Sequence, residues 1–153
     1  MNEVYKEFGE AFLAPKAKSL YDLIVAQGAN LLAEVGAKTP SNCVSVILLL
    51  ESYDSLQTVQ IAEKLGKSHQ LISTRINRLE KLGLIHRHTG EVDKRVRVIS
   101  LTEQGQDDLA KIKYTCKVAD EHFKKLYSEM DINIGQMLEK MEGMLKEQPL
   151  KDK

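Results

Sequence analysis

The spacing of apolar residues divides this chain into helical stretches and one short β-rich stretch. From Ser19 to about Val35, the positions Leu20, Leu23, Ile24, Leu31, Leu32 and Val35 recur at helical spacing, and Gly36 closes the run. Upstream, Val4, Phe8, Ala11 and Phe12 suggest a short amphipathic helix interrupted near Pro15, a residue that either opens a new helix or kinks the old one. Gly28 inside the longer run costs about 1 kcal/mol in helix propensity. After the connector Lys38-Thr39-Pro40, Ser41 or Asn42 is placed to cap a helix through Val44, Ile47, Leu48 and Leu49 to about Ser52. That segment is almost wholly apolar, so it belongs at the centre of the fold. Tyr53 to Gln57 then supplies a short extra strand.

Two compact helical patterns follow around a tight turn. Val59, Ile61, Ala62 and Leu65 carry the first, which stops at Gly66, a residue able to take the left-handed conformation past a helix end. Ser68 offers an N-cap oxygen to the second, whose core stripe is Ile72, Ile76 and Leu79, widened by Leu71 and Leu82. The opposite face carries Gln70, Ser73, Thr74, Asn77 and Lys81, with Arg75 and Arg78 on its edge. Amides and hydroxyls flanked by guanidinium groups suit a helix in the DNA major groove, although any solvated helix face is polar. His69 at the helix start reads as a DNA contact or as a merely exposed side chain.

The β-rich stretch changes that picture. Leu84 to Thr89 and Arg95 to Leu101 are β-prone and flank Gly90, Glu91, Val92, Asp93 and Lys94, so they predict an antiparallel hairpin. Arg87, Lys94, Arg95 and Arg97 gather there. A helix, turn, helix and basic hairpin in that order is the layout of a winged helix.

Downstream, Thr102 caps a helix running to about Met130, with Leu109, Ile112, Lys113, Cys116, Ala119, Phe123 and Leu126 on one stripe. Asp131 or Asn133 starts a last helix with Ile134, Met137, Leu138, Met141, Met144 and Leu145 at spacings of three and four. Such a stripe finds no obvious partner within a chain this size and predicts pairing with a second copy; folding back on its own subunit is the alternative. The three methionines also suit an adaptable ligand cavity. The residues after Gln148 read as a frayed tail.

Composition bounds the function. At 153 residues the chain has room for one substantial core, and its 42% hydrophobic and 29% charged residues fit a folded protein. No apolar run approaches the roughly 18 residues of a membrane-spanning helix, and the N-terminus lacks signal-peptide order, so the expectation is a cytoplasmic protein with no membrane partner. Net charge is zero, yet residues 61 to 97 hold nine Lys or Arg against four Asp or Glu. Positive charge is thus concentrated where a phosphate backbone would lie. No Gly-rich phosphate loop, nucleophile elbow or H-E-x-x-H motif is present, and the neighbouring Asp107 and Asp108 face different ways on a helix, so no enzyme activity and no cofactor are expected. His86 and His88 share one side of a strand, but no further ligand at convincing spacing completes a metal site. Cys43 and Cys116 form no C-x-x-C pair. Cys43 falls two residues after the expected helix start, a position that lowers a thiol pKa, while packing as a small hydrophobe is the simpler role.

The sequence resembles the MarR family of transcriptional regulators. The resemblance rests on Ile61-Ala62-Glu63-Lys64-Leu65-Gly66, on Arg78-Leu79-Glu80-Lys81-Leu82-Gly83-Leu84-Ile85, and on Asp93-Lys94-Arg95 followed by Leu101-Thr102-Glu103-Gln104-Gly105. It implies a mostly α (α+β) single domain: a winged helix-turn-helix lobe at 41–102, with dimerisation helices at 1–36 and 103–148. It further implies a DNA-binding transcriptional regulator, read as a repressor, sitting as a homodimer on a pseudo-palindromic operator. A winged-helix protein-interaction module is the alternative. On this reading Ser68, His69, Gln70, Ser73, Thr74, Arg75, Asn77, Arg78 and Lys81 contact DNA from the helix, and Arg87, Asp93, Lys94, Arg95 and Arg97 from the wing, with Asp93 holding Arg95. Phe8, Phe12, Leu20, Ile134, Met137, Leu138, Met141 and Leu145 form the dimer interface. The resemblance also implies release by a small phenolic or lipophilic effector, or by an oxidant acting on Cys43 or Cys116.

Overall fold

The computed structural model describes residues 9–90 and 94–150, which divide into two compact units, the first ending at Thr115 and the second beginning at Cys116. Phe8 and Asp93 lie outside the described residues.

In the first unit a 3-10 turn, Gly9–Phe12, leads into helix α1, Leu13–Glu34. Pro15 sits in the first turn of α1, where a missing N–H removes no helical hydrogen bond, so the helix opens here, earlier than Ser19. Only Leu32 of α1 is buried. The helix ends with Gly36 at φ +66° and with Ala37 N donating to Leu32 O, a left-handed close that glycine adopts without strain.

Helix α2, Val44–Glu51, buries Val46, Ile47 and Leu50 at the centre of the core, as its apolar run requires. The expected cap by Ser41 or Asn42 is not made: a 3-10 turn, Ser41–Cys43, precedes α2, and Cys43 N donates to Pro40 O at 2.8 Å. Cys43 is only 1% exposed and its thiol donates to Asn42 Oδ1. Burial pushes the thiol pKa up, against the opposing pull of Arg78 and Arg75. Of the two roles weighed for Cys43, the packed core thiol is the one the structure shows, and its place near a helix start does not lower its pKa.

Helix α3, Thr58–Leu65, is entered through Gln57, whose N–H donates to Gln60 Oε1 at 2.8 Å, and ends at Gly66 with φ +59°. Helix α4, His69–Lys81, starts from Ser68, whose Oγ accepts from Leu71 N. Ile72, Ile76 and Leu79 are fully buried, whereas Leu71 at 40% and Leu82 at 36% stay exposed. At about 100° per residue the latter two lie roughly 90° from the centre of the stripe, so the core is narrower than the sequence pattern suggested.

Strands β1, Ile85–Thr89, and β2, Arg97–Leu101, pair antiparallel with Arg87 opposite Ile99. Both begin one or two residues later than expected. Leu56 exchanges two backbone hydrogen bonds with Ile99, so the strand foreseen at Tyr53–Gln57 is a single bridge.

Helix α5, Glu103–Met130, is fastened to this lobe at its start. Thr102 Oγ1 donates to Gly83 O at 2.6 Å and accepts from Gly105 N at 3.0 Å. A Cβ on Gly105 would stand 2.0 Å from Leu84 O, so the strand entrance touches the helix backbone. Asp108, 2% exposed, accepts from Lys38 N, Thr39 N and Thr39 Oγ1, the last at 2.5 Å. Asp107 is exposed, so the two carboxylates do face different ways.

The second unit holds the rest of α5 and helix α6, Ile134–Glu147, joined by a turn with Asp131 at φ +54°. Asn133, not Asp131, caps α6, its Oδ1 accepting from Gln136 N at 3.0 Å. No residue of α6 is buried, and Met137, Leu138, Met141, Met144 and Leu145 are exposed along it.

Two outcomes follow from this packing. Gly105→Ala should destabilise the fold by about 1–3 kcal/mol or more, read from urea unfolding midpoints, because Leu84 O is backbone and cannot step aside alone. In a Cys116→Ser variant, the remaining thiol, Cys43, should react with a disulfide reagent at pH 8 only after denaturant is added; rapid labelling of the native protein would contradict its burial.

Candidate nucleic-acid interface

The buried stripe of α4 fixes what the helix shows to solvent. With Ile72, Ile76 and Leu79 inward, His69, Gln70, Thr74, Asn77, Arg78 and Lys81 are exposed, and Ser73 and Arg75 are half-buried. Of the expected polar face, Gln70, Thr74, Asn77 and Lys81 therefore face outward, with Ser73 half-buried at its edge. Ser68 is at the helix entrance with its oxygen engaged by Leu71 N. Thr74 Oγ1 donates to Gln70 O at 3.1 Å, which leaves its lone pairs and methyl group to face a ligand. Arg75 turns toward the core flank, where its Nε is buried, and Arg78 stands nearer the solvent. Both guanidinium groups act on the Cys43 thiol, which places them on the side of α4 next to the 3-10 turn before α2.

The hairpin divides its cations between two roles. Lys94, Arg95 and Arg97 are exposed at the far end of the wing. Arg87 is not: its Nη1 donates to Glu80 Oε2 at 2.6 Å and its Nη2 donates to Asn77 Oδ1 in an unusually short hydrogen bond. One wing side chain thus grips two side chains of α4. Sequence reasoning grouped Arg87 with the DNA contacts because it sits in a basic cluster. Asn77 and Glu80 are three residues apart on one flank of a helix, which was legible, but the identity of the strand meeting that flank was not.

Other expected features sit as follows. His86 and His88 do share one side of β1, with ring centroids 5.0 Å apart. His88 Nε2 lies 2.8 Å from Ser100 Oγ, which itself donates to Asp54 O, so this ring helps hold the 52–56 segment to the sheet. Among the described residues no three His, Cys, Asp or Glu side chains come close enough to hold a metal ion. Cys43 is in the core of the first unit, and Cys116, exposed, is in the second. Phe12 is half-buried and Leu20 exposed on the N-terminal side, and Ile134 is half-buried at the start of α6. Asp108 was missed; its only sequence signal is an acidic residue four before Ile112 and beside Leu109 on an otherwise apolar stripe.

Residues 39–96, from the connector through most of the hairpin, match the model of the MarR family. Over 63 residues the chain is 36% identical to the HTH-type transcriptional regulator YfiV of Bacillus subtilis, a match that takes in 41% of this chain and 39% of YfiV. The chain thus spans about two-fifths of the length of that curated relative. Among solved structures, the transcriptional regulator BldR from Sulfolobus solfataricus superposes with a TM-score of 0.63 at 16% identity, over 96% of this chain and 99% of BldR. The transcriptional repressor CouR bound to a 23-mer DNA duplex gives 0.65 at 20% identity, over 95% of this chain and 98% of CouR. At these identities the structures share the fold. The family match falls on the α3–α4 and hairpin segment that bears the exposed polar face, and the fold extends over the helices on either side of it. The chain is thus similar to the MarR family over residues 39–96, and shares a fold with solved transcriptional regulators over the helices on either side.

Proposed function

We propose that this chain is a sequence-specific double-stranded DNA-binding transcriptional regulator, acting as a repressor in the form of a homodimer on a pseudo-palindromic operator. The observation that carries this reading is the outward polar face of α4 opposite a fully buried stripe, beside a hairpin with Lys94, Arg95 and Arg97 exposed. A helix with that division fits the major groove, where Gln70, Ser73, Thr74 and Asn77 meet base edges and Arg75, Arg78 and Lys81 meet phosphate. Arg95 enters the adjacent minor groove. CouR, a transcriptional repressor of the same fold solved on a 23-mer DNA duplex, supports double-stranded DNA as the partner.

Dimerisation is supported by apolar surface that the single chain leaves open. On α1 these are Leu13, Leu20, Leu23 and Ile24, and on α6 Met137, Leu138, Met141, Met144 and Leu145. A two-fold pair would cover them and set two recognition helices one helical turn of DNA apart. An effector of small phenolic or lipophilic character fits the same architecture: CouR has been solved with p-coumaroyl-CoA and PefR from Streptococcus agalactiae with heme. A ligand that prefers one spacing of the two α4 helices shifts the population away from the DNA-competent one. Among the described residues no helix is long and apolar enough to cross a membrane, which accords with a cytoplasmic site of action.

The deciding experiment is a gel shift on DNA upstream of the protein's own gene, with and without unrelated competitor; loss of the shift under competitor at every salt concentration would defeat the reading. Arg95→Ala should weaken binding by about 1–3 kcal/mol while the dimer, followed by sedimentation, stays intact. Met141→Glu should instead give monomers and lose cooperative binding to the full operator, since it places a charge in an interface that must exclude water.

A further inference from the structure

Arg87 holds α4 to β1 in a way that constrains what Asn77 can present. A guanidinium has only donors, so the atom of Asn77 facing it must be the carboxamide oxygen, and the NH2 group must point away. Glu80 accepts from the other arm of Arg87 at 2.6 Å, which stops the guanidinium from following Asn77 elsewhere. Both Arg87 and Glu80 are about two-thirds screened from solvent, while Asn77 is exposed on the outward face of α4. Asn77 is therefore an exposed amide with a fixed orientation.

The usual reading of an adenine by asparagine is bidentate: the amide donates to N7 and accepts from the N6 amino group. That needs the oxygen and the nitrogen of one amide aimed together at the base edge. With Oδ1 turned toward β1, Asn77 offers two N–H donors and no well-placed acceptor. Guanine, with O6 and N7 as adjacent acceptors, satisfies such a group, whereas the adenine N6 amino group would face a donor.

We propose that Arg87 is a positioning residue that makes Asn77 a donor-only reader, so that the operator base beneath Asn77 is guanine and not adenine. The inference rests on the DNA-binding reading above and names the specificity of one position within it.

The test is selection from a randomised duplex library built on the upstream operator, with the full-length dimeric protein, Asn77→Ala and Arg87→Met, each checked for an unchanged melting transition. The position whose preference vanishes in Asn77→Ala is the one that Asn77 reads. Wild type should favour guanine over adenine there by about fivefold or more, the discrimination expected of a good base contact. Arg87→Met frees the amide to turn, and should move that one position toward adenine while leaving the others and the salt dependence of binding alone. Adenine in the wild-type site, or no position altered by Asn77→Ala, overturns the inference and leaves the regulator reading standing. So does an Arg87→Met variant that weakens all sequences alike and lowers the salt slope by about one, the behaviour of a phosphate contact. Should Arg87→Met fail to fold, the wild-type and Asn77→Ala profiles alone still decide between guanine and adenine. Binding with no base preference at any position overturns the regulator reading itself.

Discussion

The burial of Ile72, Ile76 and Leu79 is the constraint on which the functional surface depends. Each removes a branched side chain completely from water, worth about 1.5–3 kcal/mol apiece as an upper estimate. Rolling α4 by half a turn would exchange that stripe for Gln70, Thr74 and Lys81, burying a charge and unpaired polar groups at a further cost of several kcal/mol. The orientation of the polar face is thus dictated from inside. Nothing on the outer face needs to hold it there.

That stripe sets the rotation of α4 but not its position relative to the hairpin or to the helices on either side. Those are set by a few polar contacts between segments distant in sequence. Asp108 gathers two backbone amides and one hydroxyl from the connector after α1, and Thr102 bridges Gly83 and Gly105. The close approach of Gly105 to Leu84 O admits no side chain. Arg87 does the corresponding work between β1 and α4. The Asp108 contacts are buried or half-buried, where an unmet partner is expensive, and this gives them the most positional authority; those of Thr102 and Arg87 are partly open to solvent.

The surface carries two patterns with different physical consequences. Cations concentrated in residues 61 to 97 on a chain of zero net charge make one region attractive to phosphate while the remainder is acidic. Apolar rows on α1 and α6, left open in the single chain, serve no core within their own units. The first favours association with a polyanion; the second favours burial against another apolar surface. The homodimer on DNA proposed above would use both.

The helix order, the capping residues Ser68 and Thr102, the hairpin and the core stripe of α4 were legible in the sequence. Each depends on local spacing or on the chemistry of a residue and its near neighbours. The winged fold and its polar face followed from those. What tertiary structure alone decided is how each flank is used. Leu71 and Leu82 stayed exposed because the space under α4 is narrower than the apolar pattern allows. Cys43 was sealed among core side chains, so desolvation outweighed its favourable place near a helix start. Asp108 became a buried anchor, and Arg87 was taken from the cationic surface to fix Asn77. Periodicity states which side of an element faces inward, but only the meeting of distant segments determines which partner a polar group will find there.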